Sequence, residues 1–434
     1  MSARKLAAET LLRLEKDKSY SNIAVDNVIR KHGLAGADRS LFCILVYGVI
    51  ERRITLDYVI DSLSSLPPHK IEAETRILLR IGLYQLMYLD RIPPHAILNE
   101  TVELAPRRSR GFVNALLRAY TRAKEDIEFP KKEENFPLYL SVTYSYPLPL
   151  CQKLIGIYGE EKAEKILDGF RAAPEITLRV NTLKNTREEL LSRLLNKGLR
   201  ARPTENAPNG IKVASASLDE LGLGDGLCFV QDEASQICVE ALGATVGDTV
   251  YDICACPGSK SFGAAINMKN EGEVLSSDLH ENKLSLVTRS AEALGITILR
   301  TATRDGRVLD ETRIAKADRV LCDVPCSGFG VVAKKPEIRY KDLSECAALP
   351  SIQYDILDTA CRYVKKGGTL VYSTCTIFPE ENEENVKRFL TSHPEFSLVP
   401  FQVGRVDAPK GMRTLLPDEF GTDGFFIAKL TRKE

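Results

Sequence analysis

The sequence predicts a three-part chain ending in an α/β domain built on a mostly parallel, doubly wound sheet. Three observations carry this expectation. From Phe229 onward, short β-rich runs alternate with longer helical periods, the pattern left by strands and crossover helices of a parallel sheet. From residue 3 to about residue 124, apolar residues recur at three- and four-residue spacing, which is helical throughout. A strand-helix-strand stretch lies between them.

The helical part opens with Leu6, Leu11, Leu12 and Leu14 and repeats the spacing in Leu41, Ile44, Leu45 and Val49, the stripes of a bundle. Pro67-Pro68 and Pro93-Pro94 punctuate it, because proline ends a helix or occupies its first turn. The charged, proline-bounded run Pro130-Lys131-Lys132-Glu133-Glu134-Asn135-Phe136-Pro137 reads as a linker, which places an all-α domain at 1–130. A helix is expected at 149–170, a strand at 176–180, a helix at 186–196 and a strand at 210–213, giving a small α/β domain at 138–235. The last domain, 236–434, carries strand candidates at 249–253, 273–277, 296–302, 319–322 and 369–372, with a late strand at 424–430.

A chain of 434 residues is long for one hydrophobic core, given ~100–200 residues per domain. Basic and acidic residues balance at 59 each, so contact with nucleic acid rests on local patches such as Arg107-Arg108-Ser109-Arg110. No apolar run approaches the ~20 residues needed to span a bilayer, and the N-terminus lacks a signal-peptide core, so a cytoplasmic protein without membrane contact is expected. Eleven cysteines, an odd count, favour reduced thiols over a disulfide framework. The spacings Cys254-x-Cys256 and Cys322-x3-Cys326 have no histidine nearby in sequence, and no metal site is expected from them.

The first motif of the last domain is Asp252-Ile253-Cys254-Ala255-Cys256-Pro257-Gly258-Ser259-Lys260. A strand ending at Asp252, a turn through Pro257-Gly258 and a helix from about Lys260 would aim free backbone N–H groups at a ligand. A dinucleotide fingerprint has three glycines to make room for a pyrophosphate, and only Gly258 stands here. That argues against NAD and a dehydrogenase. It suits S-adenosyl-L-methionine, which presents a carboxylate and an ammonium but no phosphate. Asp278, after the second strand, is then a candidate for the ribose hydroxyls, and Asp305, after the third, for the adenine amine.

Two cysteines follow on the same predicted sheet edge: Cys326 in Asp323-Val324-Pro325-Cys326-Ser327-Gly328, and Cys375 in Ser373-Thr374-Cys375-Thr376. Cytosine carbon-5 is too weak a nucleophile to take a methyl group until a thiolate adds to carbon-6, and cysteine both attacks and leaves readily. A free thiol of pKa ~8.5 needs a cation or a helix N-terminus to ionise at neutral pH. Pro379-Glu380-Glu381-Asn382 reads as such a helix start just beyond Cys375, with Lys260 as a candidate neighbour. Asp323 and Cys326 are the groups on hand for the proton transfers. Together the three segments point to methylation of cytosine at carbon-5.

These motifs resemble those of the RNA cytosine-5 methyltransferases of the Sun/Fmu group. The group's D-x-C-A-A-P-G-G-K-T is matched at 252–261 with Cys256, Ser259 and Ser261 substituted, its D-x-P-C-S-G-x-G is complete at 323–330, and its T-C-[ST] followed by P-x-E-N-E is present at 374–383. Gln231-Asp232-Glu233-Ala234-Ser235 and Asp423-Gly424-Phe425-Phe426 look like further motifs of the group, and Leu79-Arg80-Ile81-Gly82 and Ile92-Pro93-Pro94-His95-Ala96 look like a NusB-type RNA-binding domain. The resemblance implies a Rossmann-like methyltransferase domain preceded by an all-α NusB-like domain and a small α/β RNA-recognition-like domain. It implies Cys375 as nucleophile, Cys326 as the residue that helps release product, and cofactor contacts at Cys254, Ala255, Cys256, Pro257, Gly258, Ser259, Lys260, Asp278, Asp305 and Asp323. The NusB-like part implies 16S ribosomal RNA, met before the subunit is fully assembled, as the partner. Transfer RNA is the rival substrate, and a non-catalytic RNA-binding protein the reading from another class.

Overall fold

In the computed structural model the described residues are 2–17, 20–172, 175–214, 216 and 218–434. They divide into two compact units, Met1–Arg171 with Val332–Lys341, and Ala172–Val331 with Asp342–Glu434.

The first unit is helical, as the apolar spacing predicts. Its helices are α1 (Ala3–Asp17), α2 (Ser21–His32), α3 (Gly36–Glu51), α4 (Arg53–Leu63), α5 (Ala73–Tyr88), α6 (Pro94–Leu104), α7 (Arg110–Ala123), α8 (Phe136–Tyr144), α9 (Leu148–Tyr158) and α10 (Glu160–Gly169). Leu6, Leu45, Leu56, Leu79 and Leu117 close the core. The helix expected over 149–170 is two helices, because Gly159 takes φ 78° between them, a left-handed conformation that glycine adopts without strain. The segment Val332–Lys341, which follows the Cys326 motif in sequence, belongs to this unit. Its Tyr340 hydroxyl donates to the Ile50 carbonyl at 2.7 Å, Arg339 donates to the Glu51 carbonyl at 2.9 Å, and Glu337 accepts from Ser21.

The second unit begins with an antiparallel sheet ordered β2-β3-β1-β4, formed by β1 (Ile176–Val180), β2 (Arg200–Pro203), β3 (Gly210–Ala214) and β4 (Cys228–Val230). Helix α11 (Arg187–Asn196) is started by a capping box in which the Thr186 hydroxyl accepts from Glu189 N and the Glu189 carboxylate accepts from Thr186 N. Strands β2 and β4 escape a pattern reading because one is a polar edge, Arg-Ala-Arg-Pro, and the other three residues long.

The large sheet follows, with α12 (Glu233–Leu242), β5 (Thr249–Asp252), α13 (Ser259–Asn267), β6 (Glu273–Asp278), α14 (Glu281–Leu294), β7 (Leu299–Thr303), β8 (Ala317–Asp323), α15 (Leu349–Cys361), β9 (Val364–Thr374) and α16 (Glu383–Ser392). Four short strands and a long one complete the chain: β10 (Phe396–Leu398), β11 (Phe401–Val403), β12 (Val406–Ala408), β13 (Met412–Leu415) and β14 (Phe425–Arg432). The order is β10-β14-β9-β8-β5-β6-β7, parallel from β9 to β7 and antiparallel at β14. Val250, Leu321, Val371 and Ile427 are buried on the sheet, as expected where helices cover a parallel sheet on both faces. The chain reverses direction of winding between β5 and β8, the switch point where open α/β sheets bind ligands at their carboxyl edge. Register sets Asp252 beside Leu321, Asp323 beside Ser373 and Thr374 beside Phe426, so the three motifs leave the sheet at one edge. Among the described residues no helix is long and apolar enough to cross a membrane, and no group of three or more His, Cys, Asp or Glu is placed to hold a metal ion.

Candidate active site

The turn after β5 is built on one glycine. Gly258 has φ 101°, and an added Cβ would lie 2.6 Å from the Phe262 ring, so both conformation and space require glycine there. Ser259, which stands where the resembled motif has its second glycine, is the first residue of α13 and has no positive φ, so this departure leaves the turn intact. Ser261 replaces a threonine and keeps a hydroxyl function: it donates to Asp252 Oδ2 at 2.6 Å and accepts from Ser276 Oγ at 2.7 Å. Cys256 places its backbone N–H 3.2 Å from Asp278 Oδ2. Burial and the Asp278 charge push the Cys256 thiol up to about 12, and burial pushes the Cys254 thiol up as well, so both stay protonated.

Asp278 ends β6 and also accepts from His280 N at 3.0 Å, which fixes its carboxylate at the turn. Asp305 follows β7 and lines a recess with Tyr251, Ile253, Leu275, Ser277 and Gly306. Arg307 side-chain and backbone donors hold the Asp305 carboxyl down at about 2, so it is ionised throughout the neutral range. Buried Asp252 lies beneath the turn; burial raises its carboxyl to about 7 against the hydrogen bond from Ser261, and its Oδ1 has no hydrogen-bond partner among the described residues. The free N–H groups of a helix start, a carboxylate at the second strand end and an apolar recess beside an ionised aspartate fit the carboxylate, ribose and adenine of S-adenosylmethionine.

Lys260 projects from α13 to Asp323 at the end of β8, with Nζ 2.6 Å from Oδ2. Burial works to lower the Lys260 ammonium, but the Asp323 charge and hydrogen bond overcome it and leave the group above its ordinary value. The other oxygen, Oδ1, accepts from Ser373 Oγ at 2.7 Å. Asp323 is thereby oriented from two sides, by a cation and by its register neighbour on β9.

The two cysteines of the later motifs meet. Their sulfur atoms are 3.1 Å apart, and Cys375 N donates to Cys326 Sγ at 3.3 Å. The hydrogen bond to Cys375, then burial, then the charges of Cys375, Glu381 and Asp323 push the Cys326 thiol well above its ordinary range. Cys326 is thereby held as a thiol within hydrogen-bond reach of the Cys375 sulfur. The helix expected to begin at Pro379 begins at Glu383; residues 379–382 form a turn in which Asn382 N donates to the Pro379 carbonyl. Backbone contacts join the motifs as well. Gly330 N donates to the Cys375 carbonyl at 2.9 Å, and Gly424 N donates to the Gly330 carbonyl at 2.8 Å. The sequence places Ser373 in the Cys375 motif but not its bond to Asp323, and it does not point to Gln353, whose amide donates to the Pro325 carbonyl at 3.0 Å.

Three family models match the chain: one described as 16S rRNA methyltransferase RsmB/F over residues 239–431, one as the NusB family over 1–122, and one as an RsmF/B-like ferredoxin-like domain over 146–218. A Bacillus subtilis relative, a probable ribosomal RNA small subunit methyltransferase B, is 38% identical and is aligned over 100% of this chain and 99% of its own. A Synechocystis relative with the same description is 33% identical over the full length of both chains. Among solved structures, PH0851 covers 100% of this chain and 99% of its own with a TM-score of 0.81 at 27% identity. NSun6 from Pyrococcus horikoshii, solved with SFG, covers 68% of this chain and 100% of its own with a TM-score of 0.62 at 24% identity, a likeness of fold.

Proposed function

The chain belongs to the ribosomal RNA small subunit methyltransferase B family, S-adenosylmethionine-dependent enzymes that methylate ribosomal RNA, and from that premise we propose that it methylates carbon-5 of a cytosine in 16S ribosomal RNA through a Cys375 adduct. The observation that carries the reading is the pair of sulfur atoms 3.1 Å apart, one of them held protonated, beside the Lys260–Asp323 pair.

In this reading the Cys375 thiolate adds to carbon-6 of the ring, forming the sulfur–carbon bond while the carbon-5/carbon-6 π pair moves to carbon-5. Bound S-adenosylmethionine supplies the electrophilic methyl group that carbon-5 takes. Asp323, fixed by Lys260 and Ser373, would accept from the exocyclic amine of the base and so orient the ring for addition. Cys326 assists release: its thiol proton passes to the departing Cys375 sulfur, 3.1 Å away, and the carbon-5 proton goes to the Cys326 sulfur as the ring double bond re-forms, so that Cys375 leaves as a thiol. The backbone of 254–260 with Asp278 and Asp305 would hold the cofactor, with Gly258 allowing the turn. In this assignment residues 1–130 and 138–235 serve RNA recognition and 236–434 catalysis, in the cytoplasm, on RNA not yet fully packed into the subunit.

The test is product analysis. The protein is incubated with S-adenosylmethionine and unmodified 16S RNA, and the RNA is digested to nucleosides for mass spectrometry. The proposal expects 5-methylcytidine in 16S RNA with the native protein and none with Cys375→Ala. Methylation of transfer RNA alone, or of another nucleoside, would overturn it.

A further inference from the structure

The segment Glu381-Asn382 follows Cys375 by a few residues and is buried, with Glu381 2% exposed and Asn382 fully enclosed. Each residue grips the neighbours of one cysteine. The Glu381 carboxylate accepts from Ser327 N at 2.9 Å, from Ser327 Oγ at 2.5 Å and from Gln353 Nε2 at 2.8 Å, and the same Gln353 amide donates to the Pro325 carbonyl at 3.0 Å. Both residues that flank Cys326 are therefore tied to this carboxylate, directly or through one amide. Asn382 accepts from Thr374 Oγ1 at 2.5 Å and donates to the Thr376 carbonyl at 3.0 Å, which ties both flanks of Cys375. The two grips are cross-linked: the Ser327 and Thr376 hydroxyls are 2.8 Å apart, and the Tyr372 hydroxyl donates to the Glu381 carbonyl at 2.6 Å.

We propose that Glu381 is a positioning residue that fixes the Cys326 loop against Cys375 and so sets the rate of adduct release. The inference rests on the proposed covalent route and adds to it a residue that touches neither substrate nor sulfur. Burying a carboxylate is costly, and here it is met by neutral donors concentrated on one catalytic loop, so a simple core-filling role accounts poorly for it. Its negative charge also stands among the causes that keep Cys326 protonated, in the form able to serve release. Displacing a catalytic group by an ångström costs up to ~100-fold, so losing the grip on Ser327 falls first on the step that uses Cys326.

The variant is Glu381→Gln, which keeps the shape and removes the charge and one acceptor. Single-turnover methyl transfer and multiple turnover are measured on 16S RNA, with a denaturing gel for protein–RNA adduct and thermal unfolding as the folding control. The expectation is a fall of ~10- to ~100-fold in multiple turnover with methyl transfer nearly unchanged and adduct accumulating; Glu381→Asp should recover part of the loss. Equal loss of both rates without adduct, or no loss, would overturn the proposal. A second measurement is independent of RNA. Diamide accepts the two thiol hydrogens and becomes the hydrazine while a Cys326–Cys375 disulfide forms, which peptide mass spectrometry follows. That disulfide should form at least ~10-fold more slowly in Glu381→Gln; equal rates would contradict the positioning role whatever the RNA chemistry proves to be, while slowing without any adduct from a Cys326→Ala control would fault only the covalent route.

Discussion

Cys326 and Cys375, 49 positions apart in the chain, bring their sulfur atoms to 3.1 Å at the ends of adjacent parallel strands. The pairing of Asp323 with Ser373 sets this, since each cysteine follows its register partner by two or three residues. One sulfur within hydrogen-bond reach of the other lets a proton pass between them, as the proposed release step requires.

Gly330 is where three motifs touch. A Cβ added there would lie 1.8 Å from the Gly424 carbonyl oxygen and 2.8 Å from that of Cys375. Gly330→Ala must part the Gly330 and Gly424 backbones and crowd the Cys375 carbonyl, and we expect turnover to fall by roughly 100-fold, with S-adenosylmethionine affinity by calorimetry within a few-fold of the native protein.

The Lys260–Asp323 pair couples fold and site. Lys260 is 10% exposed and Asp323 28% exposed by side chain. Asp323→Asn leaves a buried ammonium without its counter-charge and should lower unfolding free energy by about 3 kcal/mol, read from denaturant titration, together with loss of methylation.

Cofactor affinity should separate the two aspartates. Both carboxylates are already engaged, Asp278 by the Cys256 and His280 N–H groups and Asp305 by Arg307, but only Asp278 holds the backbone of the cofactor turn. Asp278→Ala is expected to weaken S-adenosylmethionine by about 1–3 kcal/mol, as for a lost charged hydrogen-bond partner, and Asp305→Ala by less; equal effects would argue against the ribose assignment.

Asp252 predicts a pH dependence. Its carboxyl sits at about 7 in the folded chain against an ordinary 3.8, so between these values the folded protein holds a proton that the unfolded chain has released. The contribution is fully present below 3.8 and is lost as pH rises through about 7. Stability should therefore fall by up to about 4 kcal/mol across that window, and Asp252→Asn should flatten the slope in unfolding measured at pH 4 to 8.

Much of this was legible before any coordinates. The strands leading into Asp252, Asp323 and Thr374 announce themselves as β-rich runs, because a sheet covered on both faces needs apolar side chains at nearly every position. Helix boundaries read less well: Gly159 breaks what looks like one helix, and α16 starts at Glu383 because residues 379–382 are taken up by the turn that holds the cysteines. The bond from Ser373 to Asp323 and the part played by Gln353 are not legible in the sequence, since they arise from register and tertiary packing rather than from a local pattern.

The most direct test of the central claim is a denaturing gel of Cys326→Ala incubated with S-adenosylmethionine and unmodified 16S RNA, beside the native protein and Cys326→Ala/Cys375→Ala. The account predicts a protein–RNA band that survives denaturation in the single variant and vanishes in the double. A band that persists without Cys375, or no band while the native protein methylates that RNA, would contradict it.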